Sequence, residues 1–408
     1  MSEPAATARP GAAGRGLLAV LVASTALGPF AMQVFLPALP AIQAGFAVSP
    51  AEAQLAFSLS TLAIAVATLA YGPLSDRIGR RPAMHGGLLL YLCGTALCAL
   101  ASSLWLLILG RIVQAAGGCV GMVLSRAVVR DLYPREQAAQ ALAWITMAMV
   151  VAPMMAPALG GLLVDLFGWR SIFLLGLLVG GAVLWASLAL LRETGRPGTS
   201  TAGAGGMLAA FLLLLREPAF RGWTMQAAFS MSVFFAFLAA APFLVVQVYG
   251  RPAVEYGLLF VLVSGAFMAG NFTAARLSAR LGSERMIVLG SLGSLAGAGL
   301  ALALALAGVW TPVALFLPTA LGGFAQGLAM PNAQAAIVSV RPELAGTASG
   351  LAGFAQMAIA AAAAQLVGSL QTGTPVPVTL GMTVCAALAL LGALLGRRAH
   401  RQSPAGRA

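Results

Sequence analysis

The stretch "YGPLSDRIGRRP" at residues 71–82 gathers Asp76, Arg77, Arg80 and Arg81 into six positions of a chain that otherwise carries little charge. Only 8% of the 408 residues are charged and 60% are hydrophobic, where a soluble domain carries about 25% charge. A chain of this composition has too little polar surface to cover itself in water. Apolar runs of about twenty residues flank the charged stretch, and at 1.5 Å rise per residue such a run crosses a bilayer core of about 30 Å. The stretch therefore reads as a loop between two membrane spans, and the chain as an integral membrane protein.

Working outward from this loop, runs between breakers fall near 17–38, 53–74, 84–102, 104–126, 138–163 and 168–191. A second set follows near 222–243, 255–276, 286–308, 312–334, 345–368 and 376–396. Barrel strands would show short alternating segments, so the expected class is all-α with twelve transmembrane helices. Arginine orients them. Twenty arginines fall on the side of the 71–82 loop, against Arg170 and Arg251 on the other side and Arg111 within a span. By the positive-inside rule that side is cytoplasmic, and so are both termini.

The stretch 192–221 is the longest polar-flanked interruption, and its Leu-rich core at 207–215 is too short to span. It divides the chain into a cytoplasmic tail (1–16), a six-helix half (17–191), a cytoplasmic linker (192–221), a second half (222–396) and a cytoplasmic tail (397–408). "LSDRIGRR" at 74–81 answers to "LSARLGSE" at 277–284, an offset of 203 residues, in the same inter-helix loop of each half. Two six-helix repeats are a transporter architecture, with the site between them.

Several classes drop out. The chain has no lysine, so it lacks the Gly-Lys-Ser/Thr of a phosphate-cradling loop. The net charge of +12 is spread in small clusters between apolar runs, which fits membrane topology and not nucleic acid. Cys93, Cys98, Cys119 and Cys385 sit in apolar segments and read as buried hydrophobes, and no histidine pair offers a metal site. No cofactor, metal or catalytic constellation is expected. The first apolar run follows Arg9 and Arg15 but continues without a cleavage site, so it reads as a retained helix.

In the opening loop, Gly72 and Gly79 are expected to let the backbone turn. Asp76 can accept from a helix N-terminus or pair with arginine, and Arg77, Arg80 and Arg81 can reach headgroups or helix ends. "GPLSDRIGRR" resembles the signature loop between helices 2 and 3 of the major facilitator superfamily. "VFLPALPAI" (34–42), "GRIVQAAGG" (110–118), "RAVVRDLY" (126–133), "APMMAPALGG" (152–161) and "GWRSIF" (168–173) look like its Bcr/CflA drug-resistance branch. So does "MPNAQAAIVSVRPELAGTASGLAGFAQ" (330–356). The resemblance implies a bacterial inner-membrane exporter of amphipathic compounds that exchanges them for protons and works as a monomer. Gly72, Asp76, Arg77, Gly79, Arg80 and Arg81 then form the gating loop. Arg111 and Gln114 match the Arg-x-x-Gln of helix 4, with Asp131 at its end, and Pro153, Pro157 and Gly160 match the Pro/Gly motif of helix 5.

Arg111 lies about eight residues into its helix, roughly 12 Å deep. A charge there costs about 2.5–3.5 kcal/mol on insertion scales, so it is expected to face a partner or a polar cavity. One position departs from the resemblance: related sequences commonly place an acid three residues before "LPALP", and here Gln33 stands there. None of the eleven acids falls at mid-membrane. Glu3, Asp76, Asp131, Glu136, Glu193, Glu217, Glu284 and Glu343 fall at the cytoplasmic side, and Glu52, Asp165 and Glu255 at the outer side. This leaves an alternative, a metabolite exporter or facilitator uncoupled from protons. For the substrate site the sequence offers Gln33, Met122, Met149, Gln226, Phe234, Phe237, Asn271, Gln326, Asn332 and Gln356. Such a lining suits neutral or weakly charged amphipaths and not strong cations.

Overall fold

The computed structural model describes residues 12–133, 135–195 and 204–402. Among these described residues, twelve helices are long and apolar enough to cross a membrane. They are α1 (Gly16–Phe46), α2 (Pro50–Ile78), α3 (Arg80–Ala99), α4 (Leu104–Leu132), α5 (Gln140–Phe167) and α6 (Ser171–Leu190). The second six are α7 (Pro218–Val248), α8 (Ala253–Leu281), α9 (Ser283–Leu306), α10 (Pro312–Ser339), α11 (Pro342–Ser369) and α12 (Val376–Gln402). A shorter helix, Ala204–Arg216, lies between α6 and α7. No strand occurs among the described residues.

Each span corresponds to one apolar run, but most run past the apolar limits. α2 takes in Asp76 and Arg77, α7 starts at Pro218, and α12 carries Arg397, Arg398 and Arg401. The backbone keeps its hydrogen bonds by staying helical at the interface, and arginine stems lie along apolar surface while their heads reach water. α3 shifts the other way, beginning at Arg80 and ending at Ala99, because the Ser103 hydroxyl caps α4 by accepting from Leu106 N. Inside α1 the helix breaks over Leu36–Ala38, where Pro37 removes a backbone donor. Of the expected tails and linker, residues 1–11, 196–203 and 403–408 lie outside the described residues, and with them Glu3, Arg9, Arg196 and Arg407.

Packing repeats with a shift of six helices. In the first half α1 packs on α5 and α6, α4 on α2 and α3, and α3 on α6. In the second, α7 packs on α11 and α12, α10 on α8 and α9, and α9 on α12. The contacts between halves obey the same rule, α2 against α11 and α5 against α8. Glycines set the closest crossings: a Cβ on Gly94 or Gly117 would lie well under 3 Å from the backbone of the helix opposite, and so would one on Gly290. Close backbone approach of this kind substitutes for a hydrophobic driving force in lipid. The two equivalent loops turn on Gly79 at φ 103° and Gly282 at φ 81°, also 203 residues apart.

Candidate transport pathway

A cavity of about 260 Å³ lies where the two halves meet. An apolar cavity of about 150 Å³ already binds benzene, so this one has room for a two-ring molecule. Its wall includes Gln33, Met122, Met149, Phe234 and Gln326, with Pro153 of α5. Met154 also faces in, whereas Met155 is 65% exposed on the outside of α5.

The other amides and aromatics expected there are elsewhere. Gln226 turns to α9 and donates to Ser291 Oγ at 3.4 Å. Phe237 packs edge-on against Phe316, ring centroids 5.2 Å apart. Asn271 donates to Phe267 O and Asn332 to Leu328 O on their own helices, and Gln356 accepts from Gln334 while donating to Ala352 O. Each of these amides bonds with a nearby protein group because lipid offers no alternative partner. Gln326 does both, lining the cavity and donating to Ser230 O.

One end of the pathway is shut. Asp165 of α5 accepts from Ala253 N at 3.3 Å and Val254 N at 3.0 Å, capping α8 from the opposite half. Gln247 donates to Gln43 at 2.8 Å, Ser58 donates to Gln365 at 2.8 Å, and Gln365 donates to Ala51 O. Phe57 and Phe235 meet across the halves at 5.6 Å. All these contacts lie at the arginine-poor end. At the arginine-rich end, no hydrogen bond or ion pair joins the halves among the described residues.

Arg111 is 2% exposed. It donates to Gln114 Oε1 at 2.5 Å and to Ala31 O at 3.3 Å, and its guanidinium lies 4.1 Å from the Phe35 ring centre. Gln114 in turn donates to Thr95 Oγ1 at 2.9 Å. Asp131, grouped with Arg111 from sequence, instead joins the gating loop at the far end of α4, where Arg80 Nε reaches it at 3.5 Å. Arg80 also pairs with Asp76 at 2.7 Å and donates to Ser75 Oγ. Arg77 and Arg81 point outward. Gly72 makes no turn: it sits inside α2 with open space where a Cβ would be, and Gly79 alone turns the chain. α5 stays helical through Pro153 and Pro157, and Gly160 lets it press on Val34 O of α1.

A sequence profile of the Major Facilitator Superfamily matches residues 21–365. The chain belongs to that superfamily. It is 28% identical over 376 residues to the bicyclomycin resistance protein homolog of Haemophilus influenzae, covering 90% of this chain and 92% of that one. It is 30% identical over 344 residues to multidrug resistance protein D of Escherichia coli, covering 83% and 85%. These relatives agree with the Bcr/CflA resemblance of the sequence. A bacterial homolog of the human lysosomal transporter Spinster, in an inward-facing conformation, superposes with a TM-score of 0.75 at 17% identity, over 97% of this chain and 100% of that one. A D-xylose–proton symporter gives 0.75 at 14% identity, over 96% and 98%. At such identities the likeness is one of fold.

In this major facilitator protein the residue that sequence reasoning passed over is Glu193, just beyond α6. Its carboxylate accepts from Arg80 N at 2.8 Å and Arg81 N at 3.2 Å, and also from Thr194 N and Gly195 N. A Cβ on Gly79 would lie under 3 Å from it. Glu193 thus caps α3 and ties the gating loop to the start of the inter-half link. Partial burial raises its pKa, but the four backbone donors outweigh that and hold it below the ordinary glutamate value. The tether is therefore complete at and above the ordinary glutamate range and is released only as pH falls below it. We expect Glu193→Gln to loosen the loop and cut initial export rates several-fold at unchanged membrane level. Wild-type rates in that variant remove Glu193 from the gate.

Proposed function

We propose that this protein exports small amphipathic compounds by alternating access, exchanging them for protons across the inner membrane of a bacterium. The observation that carries the reading is one methionine- and phenylalanine-lined cavity between two equivalent halves, whose cross-half hydrogen bonds among the described residues all lie at the arginine-poor end. The arginine asymmetry supports a cytoplasmic location for the other end and for both termini, so on this reading the conformation takes up cargo from inside. The relatives' names, bicyclomycin resistance and multidrug resistance, support drug-like cargo leaving the cell. One chain encloses the cavity, which supports a working monomer. The test is a compound panel in a host stripped of its own pumps: expression should lower accumulation of some neutral amphipaths, and no change across the panel overturns the reading.

A second reading, an exporter or facilitator uncoupled from protons, is favoured by a specific observation. Among the described residues no aspartate or glutamate lines the cavity, and Gln33 stands on its wall. Adding substrate to inverted vesicles with a preformed pH gradient separates the two. Proton exchange predicts that the gradient decays faster with substrate. An unchanged gradient beside intact substrate flux selects the uncoupled protein.

A further inference from the structure

Arg111 is a buried cation without a counter-charge among the described residues. Neutral groups hold its guanidinium: the Ala31 carbonyl, the Gln114 amide and the face of Phe35. Its Nε meets no protein acceptor, and no carboxylate among the described residues lies within 4 Å of it. The small void beside it shares Met32 and Ile64 with the main cavity, so these side chains form a common wall. Gln33, next to Met32, lines the main cavity, is 6% exposed, and has an Oε1 without a partner. The remaining polar side chains on that wall, Ser264 and Gln326, are neutral as well.

We infer that the transport site selects by charge, accepting amphipaths that carry an anionic or strongly accepting group and turning cations away, with Arg111 as the determinant. The inference rests on the export reading above. Its physical basis is that a buried charge is poorly screened. At a separation of about 10 Å and an effective dielectric constant of about 20, one unit charge favours an anion over a neutral compound on the order of tenfold, and disfavours a cation equally. An anionic cargo on the far side of that wall also supplies a counter-charge, acting at a distance, for a guanidinium that has none nearby. A purely structural Arg111, pinning α1 to α4 through Ala31, would affect stability but not the order in which charged compounds bind.

The experiment uses the full chain in proteoliposomes exporting the neutral dye N-phenyl-1-naphthylamine. Competitors are its sulfonate, 1-anilinonaphthalene-8-sulfonate, and a trimethylammonium derivative of the same ring system. The sulfonate should compete at concentrations about tenfold or more below those of the ammonium compound. Gln33→Glu, which sets a carboxylate beside the common wall, should close or reverse that gap, and Arg111→Gln should close it. Should Arg111→Gln fail to fold, Gln33→Glu still decides. A wild type that takes the ammonium compound as well as the sulfonate overturns the inference, as does a gap unchanged in every folded variant. In those cases the dye is still exported and the export reading survives. If the dye itself is not moved, a neutral panel compound that is moved takes its place in the same competition; if none is moved, the export reading fails and takes this inference with it.

Discussion

Gly257→Val is expected to abolish transport while leaving both six-helix halves folded. Gly257 of α8 crosses α5 backbone to backbone: a Cβ there would lie well under 3 Å from Ala158 N and Cα and from the Pro157 carbonyl carbon. The contact is reciprocated by Gly161 of α5 against the backbone of Ala253 and Val254. No flexible side chain stands in the way that could swing aside, so added carbon must push the halves apart. Beside this crossing Asp165 caps α8, whose own Pro252 offers no side-chain cap. Parting the helices therefore also uncaps a helix and leaves its first donors unpaired. Because the crossing joins halves and not helices within a half, its loss removes one conformation and spares the packing of each bundle. A transporter that cannot seal one end cannot alternate. The initial export rate should fall at least tenfold, with membrane level and the thermal unfolding midpoint close to wild type. A thiol placed at Ser58, within the seal, should become reactive from the arginine-poor side. Wild-type transport by Gly257→Val would remove this crossing from the cycle.

The spans and their repeat were legible because lipid imposes a coarse code: twenty apolar residues, then charge and glycine. The shift of 203 residues between "LSDRIGRR" and "LSARLGSE" reappears as Gly79 and Gly282 in equivalent turns. Which face of a helix meets the cavity was less legible, and α7 shows why. It is apolar all round and its most hydrophobic window is 78% buried, so periodicity cannot tell the side facing substrate from the side facing α9. Phe234 lies on the cavity wall while Gln226 turns to Ser291 of α9, although both lie on one stripe of the sequence. Gly257 and Glu193 escaped for a different reason. A glycine in a span and an acid beyond a helix end are common, and only the partner brought by the fold gives either a role.

Asp76→Asn is expected to lower transport by an order of magnitude at unchanged membrane level. In this conformation Asp76 touches only its own half, paired with Arg80, and its side chain is 38% exposed. The helix that could meet it is α11, whose regular part follows Leu344 with no side-chain cap and no acid in its first turn. Glu343, just before it, is engaged by Arg341 at 3.4 Å. The positive end of α11 thus has only a carboxylate shared with Arg341 beside it, and it lies at the same end of the molecule as the gating loop. A Cβ on Gly350 would sit 3.6 Å from Leu69 of α2, and Asp76 is two turns further along α2. Closing the arginine-rich end would carry the α11 terminus toward that carboxylate. A carboxylate at a helix N-terminus contributes about 0.3–1 kcal/mol when exposed and about 2 kcal/mol when partly buried, and about 1.4 kcal/mol is tenfold in rate or population. Asparagine keeps the shape and an acceptor but loses the charge that both Arg80 and the helix end respond to. Asp76→Glu, which keeps the charge on a longer stem, should retain more export than Asp76→Asn. Equal, wild-type rates in both would reduce the loop to a topology signal, since a positive-inside role depends on the arginines and not on this acid.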